Sequence, residues 1–248
     1  MRFALMLAVP LALLAGCGGN GANNSSAPAA PSGPVTPVAP PAGKQWRDVV
    51  VQTPDGGHRM GNPGAPIQLL EYGSRGCPVC GAFANSGMEA LITKYVNSGK
   101  VSYEFRDFWV HGAPDVAASL LGHCVSTEAF FPILEQMYAE QPTLNGRIQA
   151  LSPAQQQALQ ALPPAQASLG WAEAAGYLDF FKKRGIPEAK ARQCLTDQNL
   201  LNRLAEINKN AVDNKGVSGT PTFFINGQKV ENVVTWPQLE AALRGAGA

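Results

Sequence analysis

Two cysteines enclose a proline and a valine in Cys77-Pro78-Val79-Cys80, directly after a strand-like run and at the start of a helix-like one. In that setting two thiols make a reversible redox couple. A cysteine at a helix N-terminus faces unpaired backbone N–H groups and the positive end of the helix dipole, and both favour the thiolate. Cys77 takes that place. Cys80 follows about one turn later, within bonding reach and better shielded. The chemistry is thiol–disulfide exchange: a substrate thiolate attacks the Cys77 sulfur of the oxidised pair, and a second substrate thiolate resolves the mixed disulfide. Cys77 is then the leaving group, and both cysteines end reduced.

The other cysteines indicate where this happens. Arg2 precedes the apolar run Phe3 to Leu14, too short to span a bilayer and shaped like a signal peptide. Leu14-Ala15-Gly16-Cys17 closes it and resembles the bacterial lipobox, so residues 1–17 are expected to be a lipoprotein signal with Cys17 as the lipidated residue. Gly18 after Cys17 leans towards the outer membrane. Cys77, Cys80, Cys124 and Cys194 remain, an even set in an exported domain. Four cysteines allow three pairings. Cys77 with Cys80 is the local one, which leaves Cys124 with Cys194 as a structural bond worth about 2–4 kcal/mol.

Residues 18–44 are Pro, Ala, Gly, Ser and Asn with almost no large apolar side chain, the composition of a disordered tether. Residues 45–248 are enough for one domain with an insertion. The net charge of +1 comes without a basic stripe, which argues against nucleic acid. The expected partners are exported proteins with cysteines, a redox partner in the membrane that resets Cys77 and Cys80, and the membrane itself through the lipid anchor. The compartment is the cell envelope, facing the periplasm. No cofactor or metal is expected, and His58, His111 and His123 read as surface or packing residues.

Several elements must position the pair. Val49-Val50-Val51 reads as an edge strand and Ile67 to Tyr72 as a strand buried on both faces. Phe83, Gly87, Leu91 and Tyr95 recur at helical spacing after Cys80, and Val101, Tyr103 and Phe105 alternate as a strand does. From about 113 to 214 strand character disappears, leaving helices broken at Pro132, Pro142, Pro163-Pro164 and Gly185-Ile186-Pro187. Phe223-Phe224-Ile225 then leads into the hairpin signal Asn226-Gly227, and Thr235 with Gln238 caps a closing helix.

Gly61-Asn62-Pro63, Glu71-Tyr72, the Cys77–Cys80 motif, Phe105-Arg106-Asp107-Phe108 and Gly219-Thr220-Pro221-Thr222-Phe223-Phe224 together resemble the DsbA-like thioredoxin family. The resemblance implies an α/β thioredoxin fold with an inserted helical domain, in an exported thiol:disulfide oxidoreductase. It makes Cys77 the nucleophile and Cys80 its partner. Pro221 becomes the cis-proline of a loop facing them, with Thr220 before it, and Glu71 the buried acid that relays protons to Cys80. Val79 departs from the pattern, since oxidase members often carry His there, and this implies a weaker oxidant. Arg75 reads as a solvated loop charge. Three other readings remain: a disulfide reductase or isomerase of the envelope, a metal-binding module using Cys77 and Cys80, and a non-catalytic peptide-binding lipoprotein.

Overall fold

The computed structural model describes residues 33–248. The expected signal peptide, the lipobox with Cys17 and the first part of the tether lie outside the described residues.

Six strands form one sheet: β1 Val50–Gln52, β2 His58–Met60, β3 Ile67–Gly73, β4 Val101–Asp107, β5 Thr222–Ile225 and β6 Gln228–Val230, in the order β1-β2-β4-β3-β5-β6. β3 and β4 run parallel, joined by the crossover helix α1 (Pro78–Ala90), which continues as a π-helical stretch from Leu91 to Val96. The other neighbouring pairs are antiparallel. Between β4 and β5 lie α2 (Ala113–Gly122), α3 (Phe130–Gln149), α4 (Pro153–Gln160), α5 (Pro164–Ala175), α6 (Tyr177–Lys182), α7 (Glu188–Leu195) and α8 (Gln198–Lys215); α9 (Trp236–Gly245) closes the chain. This is the thioredoxin fold with a helical insertion.

The central strands are buried on both faces, as their apolar runs require. Leu69, Phe83, Leu91, Tyr103, Phe223 and Leu239 form a core between the sheet, α1 and α9. A second core inside the helical block gathers Leu120, Met137, Trp171, Phe181 and Leu195. Asn226 and Gly227 both adopt positive φ, the geometry that a two-residue hairpin turn demands.

Three features differ from the sequence reading. β2, His58-Arg59-Met60, has no β-branched residue to announce it; it forms because the turn at Thr53–Gly57 folds the chain back and β4 offers it an edge. Pro142 does not break α3. It lacks the N–H that the Tyr138 carbonyl would accept, and Asn85 Nδ2 donates to that carbonyl instead, at 3.5 Å. The tether does not run free to residue 44: Val35 N donates to Gly247 O (3.0 Å), Val38 N to Ser98 O (2.9 Å), and Trp46 Nε1 to Val38 O (2.7 Å). Buried Trp46 supplies the apolar contact that composition alone withheld from this stretch.

Candidate active site

The turn from Gly73 to Cys77 carries the site, and its backbone is held from two sides. Ser74 Oγ accepts from the N–H groups of Gly76 and Cys77, both at 3.1 Å, and donates to Asp115 Oδ2 at 2.9 Å. One face of α3 takes the carbonyls: Tyr138 OH donates to Ser74 O (3.2 Å), Gln141 Nε2 to Arg75 O and Cys77 O (2.9 Å each), and Asn145 Nδ2 to Gly76 O (2.8 Å). Gly81 is required opposite this face, because a Cβ there would lie 2.4 Å from Gln141 Oε1. The spacing of 138, 141 and 145 marks one helical face, yet nothing local says that its target is the loop.

Arg75 is not the solvated charge expected. Its side chain is buried in a fork with Asp107, Nε to Oδ1 at 2.7 Å and Nη2 to Oδ2 at 3.1 Å, and it lies over the Phe130 ring at 5.0 Å. Asp107 also accepts from Ser119 Oγ (3.0 Å) and faces His123 Nε2 (3.1 Å). Burial works to raise the Asp107 carboxyl, but Arg75 and His123 overcome it and hold the group well below the usual carboxylate range. His58 stacks on Phe130 at 3.7 Å, and burial, helped by the neighbouring His123, lowers its pKa to about 3, so the ring is neutral. Arg75 therefore ties the loop to β4 and does not point at sulfur.

Cys77 is the N-cap of α1 and Cys80 lies inside its first turn; both are buried and free. Cys77 titrates at about 5 instead of 9.0. The largest cause is the Cys80 thiol, which donates to the thiolate; burial opposes it, and the Thr220 side chain and the N–H groups of Cys80 and Val79 add to it. Cys77 Sγ lies 3.4 Å from Thr220 O, and the Thr220–Pro221 bond is cis. Thr220 Oγ1 is buried with no partner among the described residues, which leaves it free to donate once Cys77 ionises. The Val79 side chain is exposed and makes no hydrogen bond. Burial, the Cys77 thiolate and Glu71 push the Cys80 thiol well above 9.0.

Glu71 is 1% exposed beneath the pair and receives the Tyr103 hydroxyl at 2.7 Å. Burial raises it to about 8 against that hydrogen bond, with the Cys77 charge adding to the rise. Cys124 and Cys194 are bonded to each other, Cα to Cα 6.0 Å, where α2 ends and within α7. Among the described residues no group of three His, Cys, Asp or Glu side chains is arranged to hold a metal ion.

A buried second thiol, a thiol of lowered pKa at a helix N-terminus and a facing cis-proline are the parts of a thioredoxin-fold dithiol site. The family profile described as Thioredoxin matches residues 53–244. The chain belongs to the thioredoxin family. It is 30% identical over 200 residues to the Na(+)/H(+) antiporter NhaA 1 of Salinispora arenicola, covering 81% of this chain and 26% of that protein. It is 23% identical over 177 residues to a putative protein-disulfide oxidoreductase of Rickettsia bellii, 70% of this chain and 58% of that one. The chain thus spans less than two thirds of the curated relatives it matches. Among solved structures, a protein-disulfide isomerase from Novosphingobium aromaticivorans superposes with a TM-score of 0.74 at 29% identity, covering 77% of this chain and 97% of that one.

Proposed function

We propose that this protein is a thiol:disulfide oxidoreductase that forms disulfides in exported proteins by exchange at Cys77 and Cys80. The observation that carries the reading is the asymmetry of the pair: Cys77 ionises at about 5 while Cys80 is held protonated. A thiolate stabilised in the reduced form makes Cys77 a good leaving group and the couple oxidising. At pH 7, two pH units above its midpoint, the thiolate contributes about 2.7 kcal/mol, equivalent to about 60 mV. Val79 adds no hydrogen bond or charge, so the couple is a weaker oxidant than relatives with His in the motif.

Thr220 and Pro221 form the loop against which an extended substrate segment lies beside Cys77. Glu71 exchanges a proton with Cys80 as that thiol is released or consumed. The protein works in the cell envelope facing the periplasm, held by lipid at Cys17, and a redox partner in the membrane resets the pair. A second reading, a reductase or isomerase, draws on the likeness to the protein-disulfide isomerase of Novosphingobium aromaticivorans. The reduction potential measured against glutathione separates the readings. A value near about −120 mV supports disulfide formation, one near about −270 mV supports a reductase, and the absence of a couple refutes both.

A further inference from the structure

The loop between β4 and α2 brings His111 against the residue that precedes Cys77: a Cβ built on Gly76 would lie 3.5 Å from His111 Nδ1. Adding the span from Gly76 to the Cys77 sulfur puts that nitrogen within about 12 Å of Sγ. Asp115 holds the ring in place. Its Oδ2 receives the His111 backbone N–H at 2.8 Å and lies 3.2 Å from Nδ1; a carboxylate only accepts, so Nδ1 carries the proton of that contact. The same oxygen accepts from Ser74 Oγ (2.9 Å), which in turn accepts the Cys77 N–H (3.1 Å). The histidine and the thiol residue are two ends of one hydrogen-bonded chain.

The hydrogen bond to Asp115 raises the His111 midpoint above 6.5; burial opposes it, and the charges of Asp115 and Cys77 add to the rise. Among the described residues, the charged groups acting on the ring are Asp115 from α2 and Cys77 from α1. α3 contributes Asn145 and Gln149 to the cavity that His111 lines, and α6 contributes Tyr177, whose hydroxyl stays protonated because burial raises it. We propose that His111 is a positioning residue of the exchange: oriented by Asp115, its imidazolium stabilises through space the thiolate that Cys77 becomes on leaving, and so supplies from another loop the cation that Val79 leaves out of the motif. This deepens the proposed exchange at Cys77 and rests on it. In the step concerned, a second substrate thiolate attacks the substrate sulfur of the mixed disulfide, the bond to Cys77 breaks, and Cys77 Sγ leaves with the electron pair. With that change the imidazole takes up a fraction of a proton from water. Linkage is reciprocal, so what the thiolate adds to the proton affinity of His111 returns as a lowered Cys77 midpoint.

The test follows the histidine ring protons by nuclear magnetic resonance against pH in the reduced protein, in the protein oxidised with glutathione disulfide, and in Cys77→Ser, which has no thiolate at this position. The chain has three histidines, and the resonance missing from His111→Gln identifies the one concerned. In low-salt buffer the His111 midpoint should lie about half to one pH unit higher in the reduced protein than in the oxidised one, the scale for two charges about 10 Å apart near a protein surface. Cys77→Ser should match the oxidised form. By reciprocity the Cys77 midpoint, followed by thiolate absorbance, should rise by a similar amount above about 5 in His111→Gln. The reduction potential should also fall more steeply with pH around the His111 midpoint in the native protein than in that variant. Equal His111 midpoints in two forms that glutathione interconverts overturn the role while leaving exchange standing. So does a Cys77→Ser midpoint that follows the reduced form, because the shift then comes from shape and not from charge. A Cys77 midpoint unmoved by His111→Gln overturns the role too. If glutathione cannot convert one form into the other, exchange at Cys77 falls and the role falls with it.

Discussion

Replacing Cys80 by Ala tests what holds Cys77 ionised. The Cys77 midpoint lies four pH units below its ordinary value, at about 5 against 9.0, a total of about 5.4 kcal/mol at 1.36 kcal/mol per unit. The Cys80 thiol is the largest single contributor, ahead of Thr220 and the backbone N–H groups of the helix start. A hydrogen bond to a charged group is worth about 1.5–3 kcal/mol, so Cys80→Ala should move the midpoint from about 5 to about 6–7. Cys80→Ser returns a donor to the same place and should bring the midpoint back towards about 5. The assay is the ultraviolet absorbance of the thiolate followed against pH, with the pH dependence of iodoacetamide alkylation as a second readout. If Cys80→Ala titrates where the native protein does, the Cys80 thiol does not set the thiolate and the reasoning fails. It fails equally if Ser behaves as Ala.

Glu71→Gln should stabilise the protein in a way that grows with pH. Below 4.5 the acid is protonated folded and unfolded, and the two proteins match; between 4.5 and about 8 only the unfolded chain ionises, which penalises native Glu71 by about 3 kcal/mol at pH 7. Urea unfolding across that range checks it, and a gap independent of pH counts against a raised Glu71. Arg75→Met leaves Asp107 buried without its main counter-charge and should cost about 3–5 kcal/mol in the same assay, whereas the double variant Arg75→Met/Asp107→Leu should cost less. Removing the Cys124–Cys194 bond with two serines frees a separation of 70 residues and should lower stability by about 4 kcal/mol. The Cys77 titration should stay at about 5 in that variant, and a displaced one would link the bond to the site.

What could be read from the sequence was what neighbouring residues determine among themselves. The redox pair, the buried strand before it, the Asn226-Gly227 hairpin and the Thr235–Gln238 cap each lie within a few residues, and Gln238 Oε1 does accept from Thr235 N at 3.0 Å. The site's supports are another matter. Tyr138, Gln141 and Asn145 act on carbonyls more than sixty residues away, at separations of 64 to 69. Arg75 could be recognised as buried only with Asp107 in view, since an arginine in a turn before a helix is ordinarily solvated. Pro142 was misleading for the same reason: the donor that repairs the helix, Asn85, comes from a different element.

The seating of residues 33–44 sets from which end the proposed anchor at Cys17 would hold the domain. Val38 docks at Ser98, just before β4 begins, whereas Cys77 lies beyond the far end of the parallel strand β3. Seven strand residues separate those poles, about 20 Å along the sheet. Tension applied through the N-terminal segment would therefore act on the end of the domain opposite Cys77, and the Cys77 pole would trail outward like the head of a tethered float. A protein docking at Cys77 meets a face that the harness does not cross, and immobilising the molecule through its N-terminus leaves that face open to solution.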